Sequence, residues 1–126
     1  MKNREIKFRG KSLDTNRWVY GYAVFDSTLE NATIVNKQGI NEMHLWAVEP
    51  KSVSQLVGIK NEYGFDIYEG DIIHSDQWNP STYQVCFDRG AFYIADKNKE
   101  EVADIKYAEQ FKVIGNIYEN PELLNG

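Results

Sequence analysis

Cysteine is nearly missing: Cys86 is the one thiol among 126 residues. No internal disulfide can form, which fits a reducing cytoplasm. Proline appears only at Pro50, Pro80 and Pro121, and no Gly/Ser-rich stretch separates two halves. One domain over residues 1–126 is therefore predicted. No apolar run approaches the roughly 18–20 residues that a membrane helix needs. The opening MKNREIKFRG also lacks the apolar core of a signal peptide, so a cytoplasmic protein with no membrane partner is expected. Histidine occurs only at His44 and His74, with no His-x-x-x-His or Cys-x-x-Cys spacing, and no metal or cofactor is predicted.

Alanine and leucine are scarce too. Together they number 13, against 41 for Val, Ile, Tyr, Phe, Trp and Thr. Branched and aromatic side chains lose rotamer freedom in a helix and pack well on a pleated surface. A mainly β fold follows: a small barrel or sandwich, SH3-like if a barrel, with at most one short helix.

Period-two alternation marks the strands. In Glu5–Arg9, Ile6 and Phe8 oppose Lys7 and Arg9. In Arg17–Phe25, Trp18, Tyr20, Tyr22 and Val24 share one face and Val19, Ala23 and Phe25 the other. Apolar residues on both faces indicate a strand covered twice, or covered once and used as an interface. Gly21 within it signals a bulge or a close backbone approach. Gly10 to Asn16 reads as a connection, Asp26–Asn31 as a loop, Ala32–Asn36 as a strand and Lys37-Gln38-Gly39 as a turn. His44–Glu49 is a strand halted by Pro50. Ser52–Lys60 alternates as a strand, with one helical turn at Ser52–Leu56 as the competitor.

Asn61-Glu62-Tyr63-Gly64 has the composition of a tight turn, with Gly64 free to take positive φ. Ile67-Tyr68 leads through Glu69-Gly70-Asp71 into the strand Ile72-Ile73-His74. Tyr83–Phe87 and Ala91–Asp96 form a hairpin through Asp88-Arg89-Gly90, a length that suits a type I turn with a G1 bulge. Lys97–Gln110 is the one helix candidate. Phe111–Tyr118 returns to strand character, and Asn120-Pro121 has the order of a helix start.

The acids carry no catalytic signature. Cys86 alternates with Val85 and Phe87 and reads as a packed thiol. No serine sits in a Gly-x-Ser-x-Gly elbow. Gly10-Lys11-Ser12 lacks the preceding glycine of a phosphate loop. His74 and Asp76 share a strand face, too few ligands for a metal hydrolase. Glu69, Gly70 and Asp71 read as a turn device: glycine permits the geometry and the Asp71 carboxylate accepts nearby N–H bonds. No enzyme is predicted.

Charge is uneven. Residues 1–11 carry a side-chain net of +4, so the other 115 sum to −9 within a total of −5. The total disfavours nucleic acid as a partner, which needs a basic surface. Lys7, Arg9 and Lys11 still form a basic stripe, beside which Trp18, Tyr20 and Tyr22 are candidates for base stacking. The aromatic row is read as core in preference to a platform.

Several blocks together resemble the YopX family. They are Ile6-Lys7-Phe8-Arg9-Gly10-Lys11, Trp18-Val19-Tyr20-Gly21, Gln55-Leu56-Val57-Gly58, Ile67-Tyr68-Glu69-Gly70-Asp71-Ile72-Ile73 and residues 113–124, beginning Val113-Ile114-Gly115-Asn116 and ending Glu122-Leu123-Leu124. The resemblance implies a phage or prophage origin in a bacterial host, a mainly β fold, self-association and no defined activity. At Tyr63-Gly64-Phe65 the chain departs from the family's more polar turn, which places aromatic surface at a loop tip. A non-enzymatic accessory protein is expected, acting by binding itself or a host or phage protein. The alternative is a single-stranded nucleic-acid-binding β domain. The candidate surface comprises Lys7, Arg9, Lys11, Trp18, Tyr20, Tyr63 and Phe65.

Overall fold

A computed structural model of the chain describes residues 6–37 and 42–125. The expected strand start at Glu5 and the Gln38-Gly39 part of a predicted turn lie outside the described residues. The fold is mainly β, in two antiparallel sheets, as the composition predicts. Neither sheet is a closed barrel, and contacts divide the chain into two compact units, Met1–Leu56 and Val57–Gly126.

The first unit contains β1 (Phe8–Lys11), β2 (Trp18–Phe25), β3 (Ala32–Lys37) and β4 (Met43–Val48), ordered β4-β3-β2-β1. A 3₁₀ turn at Pro50–Ser52 follows, where proline occupies a first-turn position that needs no N–H. The strand reading of the next segment prevails: β5 (Ser54–Lys60) pairs through Ser54 and Gln55 with β1, then carries the chain into the second unit. The first sheet curls, and an isolated bridge joins Ser12 to Val48. Its core is Ala32, Ile34 and Val48, with Phe8, Val19, Ala23, Trp46 and Val53 packed against them.

The β2–β3 connection is fastened by one carboxylate. Asp26 accepts bonds from Asn31 Nδ2 at 2.7 Å, Thr28 Oγ1 at 2.9 Å and Glu30 N at 3.1 Å. The side-chain bond from Asn31, then that from Thr28, hold its pKa down from 3.8 to about 2. Hydrogen bonds to the charged form cause such a shift. Because the folded value is the lower one, this contribution is complete above the ordinary value of 3.8 and is lost as pH falls through about 2. A carboxyl ¹³C titration should find the Asp26 midpoint near 2, and Asn31→Ala should move it upward. A midpoint at the ordinary value in the unmodified protein would contradict this loop geometry.

The second unit continues β5 beside β6 (Asp66–Tyr68) and adds β7 (Asp71–His74), β8 (Thr82–Asp88), β9 (Ala91–Ala95), β10 (Glu101–Asp104) and β11 (Lys112–Asn116). The last five form a sheet ordered β10-β9-β8-β7-β11. Its core comprises Val57, Ile67, Ile73, Tyr83, Val85, Ile94, Ala108 and Phe111.

Two local expectations are corrected. Asp88 pairs directly with Ala91, leaving a two-residue loop, Arg89-Gly90, with both φ angles positive. That is the primed turn that matches strand twist, so no G1 bulge is needed. The predicted helix over Lys97–Gln110 divides into β10 and a 3₁₀ turn at Ile105–Gln110. Its apolar spacing was only partly helical, and pairing Glu101–Asp104 with β9 satisfies backbone groups that a short isolated helix would leave marginal. A further 3₁₀ turn spans Pro121–Leu124, as the Asn-Pro order indicates. The described residues thus hold three 3₁₀ turns in place of one short helix.

Candidate functional site

The β1–β2 register determines which side chains meet. Arg9 pairs with Tyr20 and Lys11 with Trp18, so these four share a sheet face with Lys7 just before the strand. Residues of the opposite phase, Phe8, Val19 and Ala23, point to the core. On the outer face, Arg9 Cζ lies 4.8 Å and Lys11 Nζ 5.0 Å from the centre of a Trp18 ring, and Lys7 Nζ lies 5.8 Å from that of Tyr20. Cation–ring contacts of this kind contribute about 0.5–1 kcal/mol each at exposed positions. Arg9 Nε also donates to Ser54 Oγ at 3.0 Å. The five sequence-predicted residues of the first unit are therefore brought together as one interleaved rail.

The same face continues across the sheet. Tyr22 pairs with Val35 and Val35 with Leu45, while Val24 pairs with Thr33 and Lys37 with Met43. Tyr22, Val24, Met43 and Leu45 are 55–63% exposed. The reading of the aromatic row as core is thus overturned: Tyr20 and Tyr22 face solvent. One layer of Ile34, Val48 and Ala32 already satisfies the inner face, and alternation commits the other phase to the outside. Met43 and Leu45 are members that the sequence reading missed, while Val24 was placed on this face but left out of the candidate surface. The signal was present in Met43-His44-Leu45-Trp46-Ala47-Val48, which is apolar in both phases. A cleft of about 550 Å³ opens on this unit, lined by Ile6, Lys7, Tyr22, Val35 and Lys37 among others.

Charge follows the same division. Residues up to Leu56 carry eight Lys/Arg against six Asp/Glu, a net of +2, and those from Val57 onward six against thirteen, a net of −7. Strands β1–β4 contain no Asp or Glu.

Tyr63 and Phe65 belong to the second unit, on the turn between β5 and β6. Buried Asn61 builds that turn: its Oδ1 accepts from the N–H groups of Tyr63 and Phe65, both at 3.0 Å. Its Nδ2 donates to Phe111 O at 3.0 Å. Gly64 has φ +86°, and both aromatic rings stand exposed, Tyr63 with Lys112 Nζ 5.4 Å from its centre. Of the other turn residues, Gly70 has φ +84° and lies between Glu69 and Asp71. Asp71 is buried, and its Oδ2 accepts from Tyr68 N at 2.8 Å.

The chemistry elsewhere is sparse. His74 lies between Thr82 Oγ1, at 3.1 Å from Nδ1, and Asp76 Oδ1, at 2.9 Å from Nε2. This has the order of a nucleophile, base and carboxylate. The Asp76 side chain is 91% exposed, however, so water screens the pair that a triad would bury. Burial, above all, pushes the Cys86 thiol up, which disfavours the reactive thiolate. Among the described residues no three His, Cys, Asp or Glu side chains converge as metal ligands, and no helix is long and apolar enough to cross a membrane.

Comparisons with known proteins accord with the fold. The family model described as YopX protein matches residues 7–125. No curated protein matches the chain. Among solved structures, protein EF1440 from Enterococcus faecalis is similar, with 20% identity, 97% of this chain and 99% of that chain covered, and a TM-score of 0.59. At that identity the likeness concerns the fold alone.

Proposed function

This chain belongs to the YopX family, and we propose that it is a non-enzymatic phage or prophage accessory protein that acts by binding protein in the bacterial cytoplasm. The partner is a second copy of the chain, or a host or phage protein. One observation carries this reading: Tyr22, Val24, Met43 and Leu45 are more than half exposed on one face of the first sheet. Contiguous apolar surface of this kind marks interaction sites. Tyr, Trp, Met and Arg, all present on this face, are the side chains enriched in protein interfaces.

Self-assembly supplies the first test. Sedimentation and native mass measurements should find an oligomer at micromolar concentration. Leu45→Gln should weaken it tenfold to about 100-fold, the equivalent of the roughly 1.5–3 kcal/mol gained on burying a leucine. Folding should persist, because Leu45 is exposed in the single chain. A strict monomer that also captures no protein from infected cells in a Leu45-dependent manner would remove the basis for this reading.

A further inference from the structure

We infer that the rail formed by Lys7, Arg9, Lys11, Trp18 and Tyr20, with neighbouring Tyr22, is a binding site for single-stranded nucleic acid. It adjoins the apolar patch of Val24, Met43 and Leu45 and shares Tyr22 with it, but it is argued from the cations and does not depend on the protein-binding reading.

Spacing is the first argument. Same-face residues of a strand lie about 7 Å apart, so three cations repeat at the order of the separation between phosphates on an extended single strand. Interleaving is the second. Every cation of the rail lies within 6 Å of the centre of an aromatic ring on the neighbouring strand. Modules that bind single strands combine a basic track with aromatic rings on which bases stack, often on the open face of a sheet.

Local charge is the third argument. The overall net of −5 is misleading, because the acids concentrate after Leu56. Those of the first unit among the described residues, Asp14, Asp26, Glu30, Glu42 and Glu49, all lie outside strands β1–β4. A polyanion on this face meets Lys7, Arg9, Lys11 and Lys37, and among the described residues strands β1–β4 contribute no Asp or Glu. The cleft of about 550 Å³ between Lys7, Tyr22 and Lys37 gives an unstacked base a place beside two cations. A duplex keeps its bases stacked inside and gains little from the rings, so the arrangement favours single strands.

Fluorescence anisotropy tests this with labelled oligothymidylate and oligouridylate of about 15 nucleotides and a duplex of equal length. Both single strands should bind in preference to the duplex. Neutralising three phosphates predicts a log–log salt slope of about −2, a loss of roughly 20-fold between 50 and 200 mM salt. The double variant Lys7→Gln/Arg9→Gln should bind at least tenfold more weakly at low salt and flatten that slope. Tyr22→Ser should lose about tenfold with the slope unchanged, since it removes stacking and no charge.

Circular dichroism and a thermal melt keep the comparison to folded proteins. Leu45→Gln, which tests the protein interface, should leave oligonucleotide binding within about twofold. Equal affinity for duplex and single strand would overturn the site. So would the absence of an anisotropy change at low salt, or indifference to Lys7→Gln/Arg9→Gln. Loss of binding with Leu45→Gln alone would assign the face to protein and likewise overturn it.

Discussion

Gly21→Ala should destabilise the first unit by about 3 kcal/mol or more, at the upper end of what overpacking costs. A Cβ at this position would lie 2.2 Å from Val35 O, 2.9 Å from Val35 C and 3.3 Å from Ile34 Cγ2. The first two atoms are backbone, so no rotamer change relieves the overlap. The strands cannot drift apart either, because Tyr22 pairs with Val35 and Ala23 with Ile34, and Ile34 is fully buried. The sequence signal of a close approach at Gly21 thus has a specific atomic origin. Urea unfolding followed by tryptophan fluorescence should show a lower midpoint, and the melting temperature should fall by about 10 °C or more. Gly64→Ala is the control: no atom lies within 4 Å of its Cβ position, so only the positive-φ strain of about 1 kcal/mol applies. Equal costs at the two sites would refute the steric account. Because Tyr20 and Tyr22 flank Gly21, the alanine variant should also disturb the outward rail.

Phe111→Ala should cost the second unit about 3–5 kcal/mol, the range for emptying a fully buried aromatic site. Phe111 is completely buried. Its ring lies 4.9 Å from Trp78 and 5.9 Å from Tyr83, the latter edge-on at 88°. Truncation removes both ring contacts as well as the transfer term. Trp78, which also meets Tyr83 and Tyr107, should report the change by fluorescence. Amide exchange should lose protection at Val85 and Ile94, which share that core. Phe111 O also holds Asn61, the residue that builds the Tyr63–Phe65 turn. Retained amide protection at Val85 and Ile94 would show that Phe111 is not central to the core.

How far the sequence can be read depends on the range of the forces concerned. The β2 strand was legible because alternation in Trp18–Phe25 is a local property of the chain. The Asp71 turn was legible for the same reason: a buried carboxylate accepting from Tyr68 N, three residues away, needs only local geometry. The exposure of Tyr20 and Tyr22 was not legible. Val19 and Ala23 are a credible inner face and so are Trp18, Tyr20 and Tyr22, and hydrophobicity alone favours burying the larger rings. The segment Lys97–Gln110 failed similarly, since the partner that makes Glu101–Asp104 a strand is β9, and only pairing supplies it.

By itself, then, the sequence determined the β class, most strand positions, the turns at Gly64 and Gly70, the basic start and the family. Each follows from alternation, from backbone freedom at glycine, or from short motifs that act over a few residues. Only the tertiary structure decided that the chain divides into two units with separate cores. It also decided which phase of β2 faces outward, and that Lys7, Arg9 and Lys11 meet the rings of Trp18 and Tyr20. The physical reason is that the inner face is fixed by which side chains of several strands cluster together, here Val19 and Ala23 with Ile34 and Val48, and that clustering depends on strand pairing, which alternation within one strand does not reveal.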